Sequence, residues 1–268
     1  MRRLVGLLTL TLTLALAAPA AAADAPPPAR PTSLVVALSL GDSGLQAGVV
    51  RGREVILARG FEVELARLLA RRLGGRIVRF IDVRPPGRLL AAGAPGWHLA
   101  LASIEPTPEA RGTAAFSAPY LTTDLAVVLR RGLERPRGLA DLRTRLVCVA
   151  RGSDALPVVA RTVRPVRPPL VAPGRERLRT LLRTGACDAA VVPAWQAGAL
   201  IGGRGRLFGP VAGRIEHGHG LVIAVARGSG LDPADVDREL RRLRADGSLG
   251  RLARSWLGLD PAALRRLR

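Results

Sequence analysis

Residues 102–120, with the sequence ASIEPTPEARGTAAFSAPY, decide how this chain is expected to fold. They follow a short apolar run, residues 97–102, that has proline on both sides and therefore predicts a buried parallel strand rather than a helix. Thr107 suits the N-cap of a helix, Pro108 the first helical position and Glu109 the first turn. The stretch therefore predicts a strand, a polar loop and a short helix.

This polar loop is predicted to lie at the carboxyl end of a strand. Open α/β sheets bind their ligands at that edge. Two interpretations are open from the stretch alone: a ligand-binding corner, or a well-capped connection without a function.

The first 23 residues have the pattern of a secretory signal peptide. Arg2 and Arg3 precede an apolar run that is too short to span a bilayer comfortably, and the alanines at 21–23 offer a cleavage site. An uncleaved signal anchor is the alternative. No cysteine lies near the cleavage point, which argues against a lipid anchor. We therefore expect a periplasmic protein that does not span the membrane, with a Pro-rich leader at residues 24–32.

The chain is strongly basic, with a formal charge of +20 and no lysine. Removal of Arg2 and Arg3 lowers this by two, to +18. Such a charge attracts an anionic membrane face, an acidic partner or nucleic acid. Nucleic acid is disfavoured, because the arginines are spread over the whole chain and only eight aromatic residues could stack on bases.

Strands and helices alternate along the chain, which predicts an α/β fold with mainly parallel sheets. In the helix at 60–74, leucines and Phe61 form one face, with the glutamates and arginines opposite. Crossings near residues 122–124 and 216–220 divide the chain into lobe 1, residues 33–123 and 216–268, and lobe 2, residues 124–215. Strands are predicted at 33–38, 76–81, 98–102, 124–129, 146–150, 169–172, 188–192 and 220–226, and further helices at 175–184, 232–245 and 248–257.

Cys148 and Cys187 are the two cysteines, and both lie in or beside apolar runs. If the two predicted strands are neighbours, a disulfide is compatible with export to an oxidising compartment. Two buried, unpaired thiols are the alternative, because a bond across adjacent parallel strands has demanding geometry.

Five blocks resemble the solute-binding proteins of polar amino-acid ABC importers, the bacterial extracellular solute-binding protein family 3. The blocks are weak singly, but five in the family's order are specific. The resemblance implies the two-lobed type 2 periplasmic binding fold, in which each lobe is a mainly parallel sheet flanked by helices and a ligand is held in the cleft. The blocks are GFEVELARLLARRLG, IEPTPEARGTAAFSAPY, GLADLRTRLVCVARGSDA, LLRTGACDAAVV and ADGSLGRLARSWLG.

The departures from the family pattern concern the ligand anchors. The resemblance places Ala110 where the family has the arginine that binds an α-carboxylate, and Arg111 comes one residue late. Pro193 stands where the family has the aspartate for the α-ammonium group, and Glu105 replaces a small hydroxyl residue. A ligand other than a standard α-amino acid is therefore expected.

Nine residues are predicted to bind the ligand. Asp154 has a second interpretation as the cap of the following helix, Glu105 as a structural partner of Arg111, and Trp195 as a packing residue. No metal and no cofactor is expected. The candidates are Ser39, Asp42, Ser103, Glu105, Arg111, Arg151, Ser153, Asp154 and Trp195.

Three functions compete. The first is a monomeric receptor that delivers a small polar solute to an ABC permease. The second is an accessory protein that docks to a periplasmic redox enzyme, since relatives of this fold accompany quinoprotein dehydrogenases and a basic surface suits an acidic partner. The third, a dehydratase-like enzyme with Glu105 as its acid or base, is disfavoured because no nucleophile, metal site or cofactor loop accompanies that residue.

Overall fold

The computed structural model describes residues 31–41, 44–75, 77–84, 88–90, 96–106, 114–202, 208–218 and 220–268. The described residues form two mixed β-sheets flanked by helices. The helix predicted after Thr107 lies outside this part of the chain.

The first sheet has seven strands, in the order β2-β3-β4-β1-β5-β12-β6. Strand β1 pairs in parallel with β4 and β5, and the outer pairs are antiparallel. Three helices, α1, α5 and α6, pack against one another beside this sheet. The elements are β1 Ser33–Leu38, β2 Ala47–Arg51, β3 Glu54–Arg59, α1 Phe61–Arg72, β4 Ile77–Asp82, β5 Leu99–Ile104, β6 Ala114–Phe116, β12 Val222–Ala226, α5 Pro233–Ala245 and α6 Ser248–Leu257.

The second sheet has five strands, in the order β11-β7-β10-β8-β9. Strand β8 pairs in parallel with β9 and β10, whereas β7 pairs antiparallel with β10 and β11. The elements are β7 Leu125–Leu129, β8 Val147–Ala150, α2 Ala155–Thr162, β9 Leu170–Ala172, α3 Arg175–Thr184, β10 Ala189–Pro193, α4 Ala194–Ile201 and β11 Val211–Ile215.

The predicted two-lobed α/β fold is confirmed, but both sheets are mixed rather than mainly parallel. Some antiparallel pairs involve elements that the sequence pattern did not reveal, the hairpin β2–β3 and strands β6 and β11. Others join predicted strands, β5 with β12 and β7 with β10, because a hydrophobic pattern does not report strand direction. The hairpin turns at Gly52, whose φ of 61° suits glycine. Its outer strand is largely exposed and lacks the alternating pattern that marks a half-buried strand.

Helix α1 differs from its predicted amphipathic pattern at one position. Phe61, Leu65 and Leu69 enter the core as expected. Glu62, which was assigned to the polar face, is fully buried. Its carboxylate is therefore part of the protein interior and must find hydrogen-bond donors there.

The chain passes from the first sheet to the second at residues 122–124 and returns at residues 216–220. The two crossings are bonded to each other: Thr123 Oγ1 donates to the His217 carbonyl at 3.1 Å, and the His217 amide donates to Asp124 Oδ1 at 2.9 Å. Asp124 also pairs with Arg214. The division into lobes at these crossings remains a prediction.

The residues after α6 return to the second sheet. Leu267 is buried in a core cluster of that sheet, and its amide donates to the Arg214 carbonyl at 2.8 Å. The Leu139 amide donates to the Arg268 carbonyl at 3.0 Å. A third connection, the C-terminal tail of residues 258–268, therefore joins the lobe-1 helices to the second sheet.

Cys148 lies on β8, and Cys187 lies just before β10, the neighbouring strand. The two residues form a disulfide with a Cα–Cα distance of 6.1 Å, and both are fully buried. Of the two alternatives that the sequence left open, the structure has the bonded one.

Candidate functional site

A cavity of roughly 400 Å³ opens between the two sheets, beside the crossings. Ser103 and Glu105, at and just beyond the end of β5, line it from the first lobe, and residues 150–154 line it from the end of β8. Pro193, Trp195 and Gln196 contribute from β10 and α4, and Thr123, Leu125, His217 and Leu221 from the crossings or beside them. Strand ends of both sheets thus face one cleft, the arrangement in which α/β folds bind ligands.

Six of the nine predicted ligand residues line this cleft. They are Ser103, Glu105, Arg151, Ser153, Asp154 and Trp195. Asp42 and Arg111 lie outside the described residues, as does Ala110. Ser39 does not line the cavity; its amide donates to Gln46 Oε1 at 2.9 Å. Contact of these residues with a ligand remains a prediction.

Asp154 is at the N-cap position of α2, but it does not cap the helix. Its side chain accepts no capping hydrogen bond, because its backbone is already helical (φ −66°, ψ −8°) instead of extended as at a capping residue. The carboxylate is 76% exposed and lies 3.9 Å from His217 Nε2. Asp154 therefore faces the cleft, and the predicted capping role is wrong.

The cleft carries charges of both signs. The side chains of Arg151 and Glu105 are exposed, and neither forms an ion pair within the parts of the chain that the structure covers. Asp154 and His217 add an acid and a titratable base. Since charged side chains of both signs line the cavity, it suits a polar solute that carries complementary charges.

Trp195 lies at the boundary between the cleft and the hydrophobic core. It lies in the first turn of α4 in the second lobe and lines the cleft. Its half-buried side chain packs against the core cluster of the first lobe. Pro193 lines the cleft beside it and offers no charge and no N–H donor. Gln196, Thr123 and His217 also line the cleft and were not predicted; His217 and Thr123 could have been found from their place in the predicted crossings.

Ser103 is held in an unusual conformation at the mouth of this cleft. Its φ is 53°, in the left-handed region that disfavours residues with a side chain. Its amide donates to Glu62 Oε1 at 2.9 Å and its hydroxyl to the same oxygen at 3.3 Å. The buried Glu62 carboxylate is therefore a direct support of the cleft surface.

Glu62 also accepts hydrogen bonds from Tyr120 Oη and Gln46 Nε2. Burial raises the pKa of Glu62 above its ordinary value, and the hydrogen bonds from Tyr120, Ser103 and Gln46 oppose that rise. Burial, followed by the nearby Glu62 charge, raises the pKa of Tyr120 well above 10. Sequence reasoning missed Glu62 because its charge assigned it to the polar face, although its spacing of three and seven residues from Leu65 and Leu69 places it on the apolar face.

Two lobes joined by short crossings, with polar strand ends around a cleft, form the fold of the type 2 periplasmic binding proteins. The chain matches the model of the bacterial extracellular solute-binding proteins, family 3, over residues 57–259, and it belongs to this family. No curated protein sequence matches the chain.

Solved structures agree on the fold. The unliganded, open L-cystine solute receptor of Neisseria gonorrhoeae is 18% identical with a TM-score of 0.68, covering 86% of this chain and 95% of the receptor. A substrate-binding protein of a polar amino-acid ABC uptake transporter from Streptococcus thermophilus is 14% identical with a TM-score of 0.69, covering 85% and 87%. The ancestral amino-acid-binding protein AncCDT-1, a precursor of cyclohexadienyl dehydratase, is 19% identical with a TM-score of 0.52, covering 84% and 95%.

Across the residues that the structure describes, no helix combines the length and the apolar character needed to span a bilayer. The same residues include no cluster of three histidine, cysteine, aspartate or glutamate side chains that could hold a metal ion.

Proposed function

We propose that this protein is a periplasmic receptor that captures a small polar solute between its lobes and delivers it to an ABC importer. The observation that carries the proposal is the cleft, which is lined by charged and hydroxyl side chains from both lobes. Bending at the two crossings would close the lobes on the solute as rigid bodies. Family membership and the match to importer-associated structures support this function.

The solute we propose is not a standard α-amino acid. Pro193 lines the cleft where the family's aspartate for the α-ammonium group is expected, and it carries no charge. The acids of the cleft are instead Glu105, beyond β5, and Asp154, at the start of α2. This relocation of charge favours a solute whose ionised groups are spaced differently from those of an α-amino acid.

Native mass spectrometry of protein purified from its periplasm tests the proposal. A bound small molecule is expected, together with its loss in Arg151→Gln and its retention in Arg167→Gln. Arg167 is an exposed arginine of the same lobe outside the cleft, so it controls for the change in net charge. Micromolar binding of any standard α-amino acid in calorimetry would contradict the proposed solute class, and binding unaffected by Arg151→Gln would contradict the site.

Export is part of the same proposal. Cleavage after residue 23 would release the chain into an oxidising compartment, which suits the Cys148–Cys187 bond. N-terminal sequencing of the mature protein should begin at Asp24, and fractionation should recover it with periplasmic markers. A retained N-terminus in the membrane fraction would contradict this part.

A second candidate function, docking to an acidic partner such as a periplasmic redox enzyme, is favoured by the charge of the second lobe. Residues 124–215 contain 17 arginines and six acids. Arg143 Nε donates to the Arg164 carbonyl, and the Val166 amide donates to the Arg143 carbonyl at 2.7 Å. The Arg143 cation therefore lies on an exposed surface beside Val166, which is 71% exposed, and Arg164 is exposed in the same segment.

Gene neighbourhood separates the two functions: permease and ATPase genes favour the importer receptor, and a dehydrogenase with a cytochrome favours docking. A docked acidic partner should dissociate as salt is raised, and more readily from Arg143→Gln/Arg164→Gln than from the wild type. An association that is indifferent to salt would contradict electrostatic docking.

A catalytic role is not proposed. The family is one of solute-binding proteins. Glu105 was the only acid or base that sequence reasoning offered for a dehydratase, and a wild-type protein that turns over cyclohexadienyl substrates, with loss of turnover in Glu105→Gln, would contradict the binding role.

A further inference from the structure

A chain of hydrogen bonds runs through the interior from the loop after β1 to the cleft. The Ser39 amide donates to Gln46 Oε1 at 2.9 Å, and Gln46 Nε2 donates to Glu62 Oε2. The other Glu62 oxygen accepts from Ser103 and Tyr120. Gln46 is 3% exposed and Glu62 is fully buried, so these bonds do not compete with water.

The donors and acceptors of these hydrogen bonds can be arranged in only one direction. A backbone N–H can only donate, so Gln46 must turn its oxygen towards Ser39 and its NH₂ group towards Glu62. Glu62 must therefore accept at both of its oxygens. A glutamate at position 62 does this, whereas a glutamine there has only one acceptor oxygen and would place its own NH₂ group against that of Gln46.

Each end of this hydrogen-bond series reaches an element at the cleft or beside it. Ser103 lines the cavity in its left-handed conformation. Tyr120 directly precedes the residues that lead into the first crossing, and Ser39 begins the loop after β1. One carboxylate therefore fixes the relative positions of a cleft-lining residue, the entry to a crossing and a neighbouring loop.

We propose that Glu62, oriented by Gln46, is a positioning residue for solute capture: it holds Ser103 in its left-handed conformation at the cleft and sets the loop of Ser39 relative to it. The proposal rests on the proposed function. It assigns Glu62 no contact with the solute.

The test uses an exchange of the two side chains. Glu62→Gln interrupts the series of hydrogen bonds, because it places two NH₂ groups against each other. The double variant Gln46→Glu/Glu62→Gln restores every bond. The carboxylate introduced at position 46 would accept from the Ser39 amide and from the NH₂ group introduced at position 62, whose own amide oxygen stays available to Ser103 and Tyr120. Glu64→Gln is the control: it makes the same change on the surface of the same helix, where Glu64 pairs with Arg67.

Two readouts separate positioning from simple stability. The first is the amide resonance of Ser39 and of Ser103 in ¹⁵N-labelled protein, which reports each hydrogen bond directly. The second is the affinity of each solute-free protein for the solute extracted from purified wild-type protein. We expect Glu62→Gln to shift both resonances and to weaken binding by about tenfold, the effect of populating the binding-competent conformation of Ser103 only about a tenth of the time. The exchange should restore both readouts, and Glu64→Gln should change neither.

Unchanged Ser39 and Ser103 resonances in Glu62→Gln would overturn the proposal, as would a folded exchange variant that binds no better than Glu62→Gln. If Glu62→Gln does not fold, the exchange variant and its two readouts decide alone. If purified wild-type protein carries no solute, the proposed function fails, whereas the amide resonances still test whether Glu62 positions Ser103.

Discussion

Glu62 shows how one buried group can connect several parts of this molecule. Its carboxylate faces no arginine among the side chains that the structure places around it, and four donor atoms of three residues satisfy it. Such a group is costly to bury and cannot be replaced by an apolar residue without leaving those donors unpaired. The energetic cost of burying this group is compatible with a functional role, because the Glu62 carboxylate fixes the conformation of Ser103.

The contribution of Glu62 to the free energy of unfolding should depend on pH. Burial raises the pKa of Glu62 in the folded state, whereas an unfolded glutamate titrates at ~4.3. As pH rises through the interval between these values, the unfolded state releases its proton first, so the stabilisation present below the unfolded pKa is lost. The free energy of unfolding of the wild type, minus that of Glu62→Gln, should therefore fall with rising pH. Urea titrations from pH 4 to pH 8 measure it, and a difference that is flat or rises would contradict the raised pKa.

The same residue marks the limit of sequence reasoning at this scale. Helical spacing placed Phe61, Leu65 and Leu69 in the core, because their periodicity reports one apolar face. Glu62 has the same spacing, three residues before Leu65 and seven before Leu69, but its charge led to its assignment to the polar face. The donors that satisfy it in the interior, on Gln46, Ser103 and Tyr120, come from distant parts of the sequence. Six cleft residues were found because they follow predicted strands, a local property of the sequence. Asp154 does not cap its helix and Ser39 does not line the cavity, because side-chain and backbone orientations depend on tertiary contacts.

At the scale of elements, Asp246 connects three helices of the first lobe. It ends α5, accepts a hydrogen bond from the Ser248 amide at the start of α6 at 2.8 Å, and pairs with Arg72 at the end of α1 at 2.6 Å. The hydrogen bonds from Ser248 and Arg72 lower the pKa of Asp246 to about 2. The carboxylate is therefore charged at every pH at which the protein is expected to work.

Asp246→Asn should lower the melting temperature at neutral pH, because it removes the charge while keeping an oxygen for the Ser248 amide. The folded pKa is depressed, so this stabilisation is present above the unfolded value of ~3.9 and is lost as pH falls towards about 2. Melting curves of both proteins should converge on acidification. A difference that persists unchanged at low pH would show that the Arg72 pair does not matter.

The contact of α4 with α6 joins the lobes. A Cβ added at Gly198 would lie 1.8 Å from the Leu257 carbonyl oxygen, so the two backbones must separate. Gly198→Ala should destabilise the protein by about 1–3 kcal/mol. Gly174→Ala is the matched control, because a Cβ there meets no atom within 4 Å and its φ of 178° is extended. Equal unfolding midpoints in urea for the two variants would contradict a tight α4–α6 contact.

Some helices and strands could be predicted from the sequence pattern, and others could not. Helices α3 and α6 begin and end where they were predicted, since each has a long periodic pattern followed by glycine. The hairpin β2–β3, strand β11 and helix α4 were missed. Their patterns are short or exposed, and their pairing depends on strands that lie far away in the sequence.

At the scale of the whole molecule, the lobes are joined by two crossings, the α4–α6 contact and the C-terminal tail. The crossings could be predicted because the pattern of strands restarts after each one. The return of the tail could not, since residues 258–268 have no periodicity that distinguishes one sheet from the other.

The disulfide is expected to contribute to the stability of the second lobe. It links cysteines separated by 39 positions, and closing such a loop stabilises a fold by about 3–4 kcal/mol. A reductant should therefore lower the urea midpoint of the wild type and leave that of Cys148→Ala/Cys187→Ala unchanged. A wild-type midpoint that is insensitive to complete reduction would contradict this contribution.

The return of Leu267 to the second sheet has a consequence for biogenesis. The core around β7 and β8 lacks one of its buried side chains until the ribosome has released residue 267, and the first sheet likewise awaits β12. Contacts this distant along the chain form slowly. Both sheets should therefore stay incompletely folded on the ribosome until the segment from β12 to Leu267 has been synthesised.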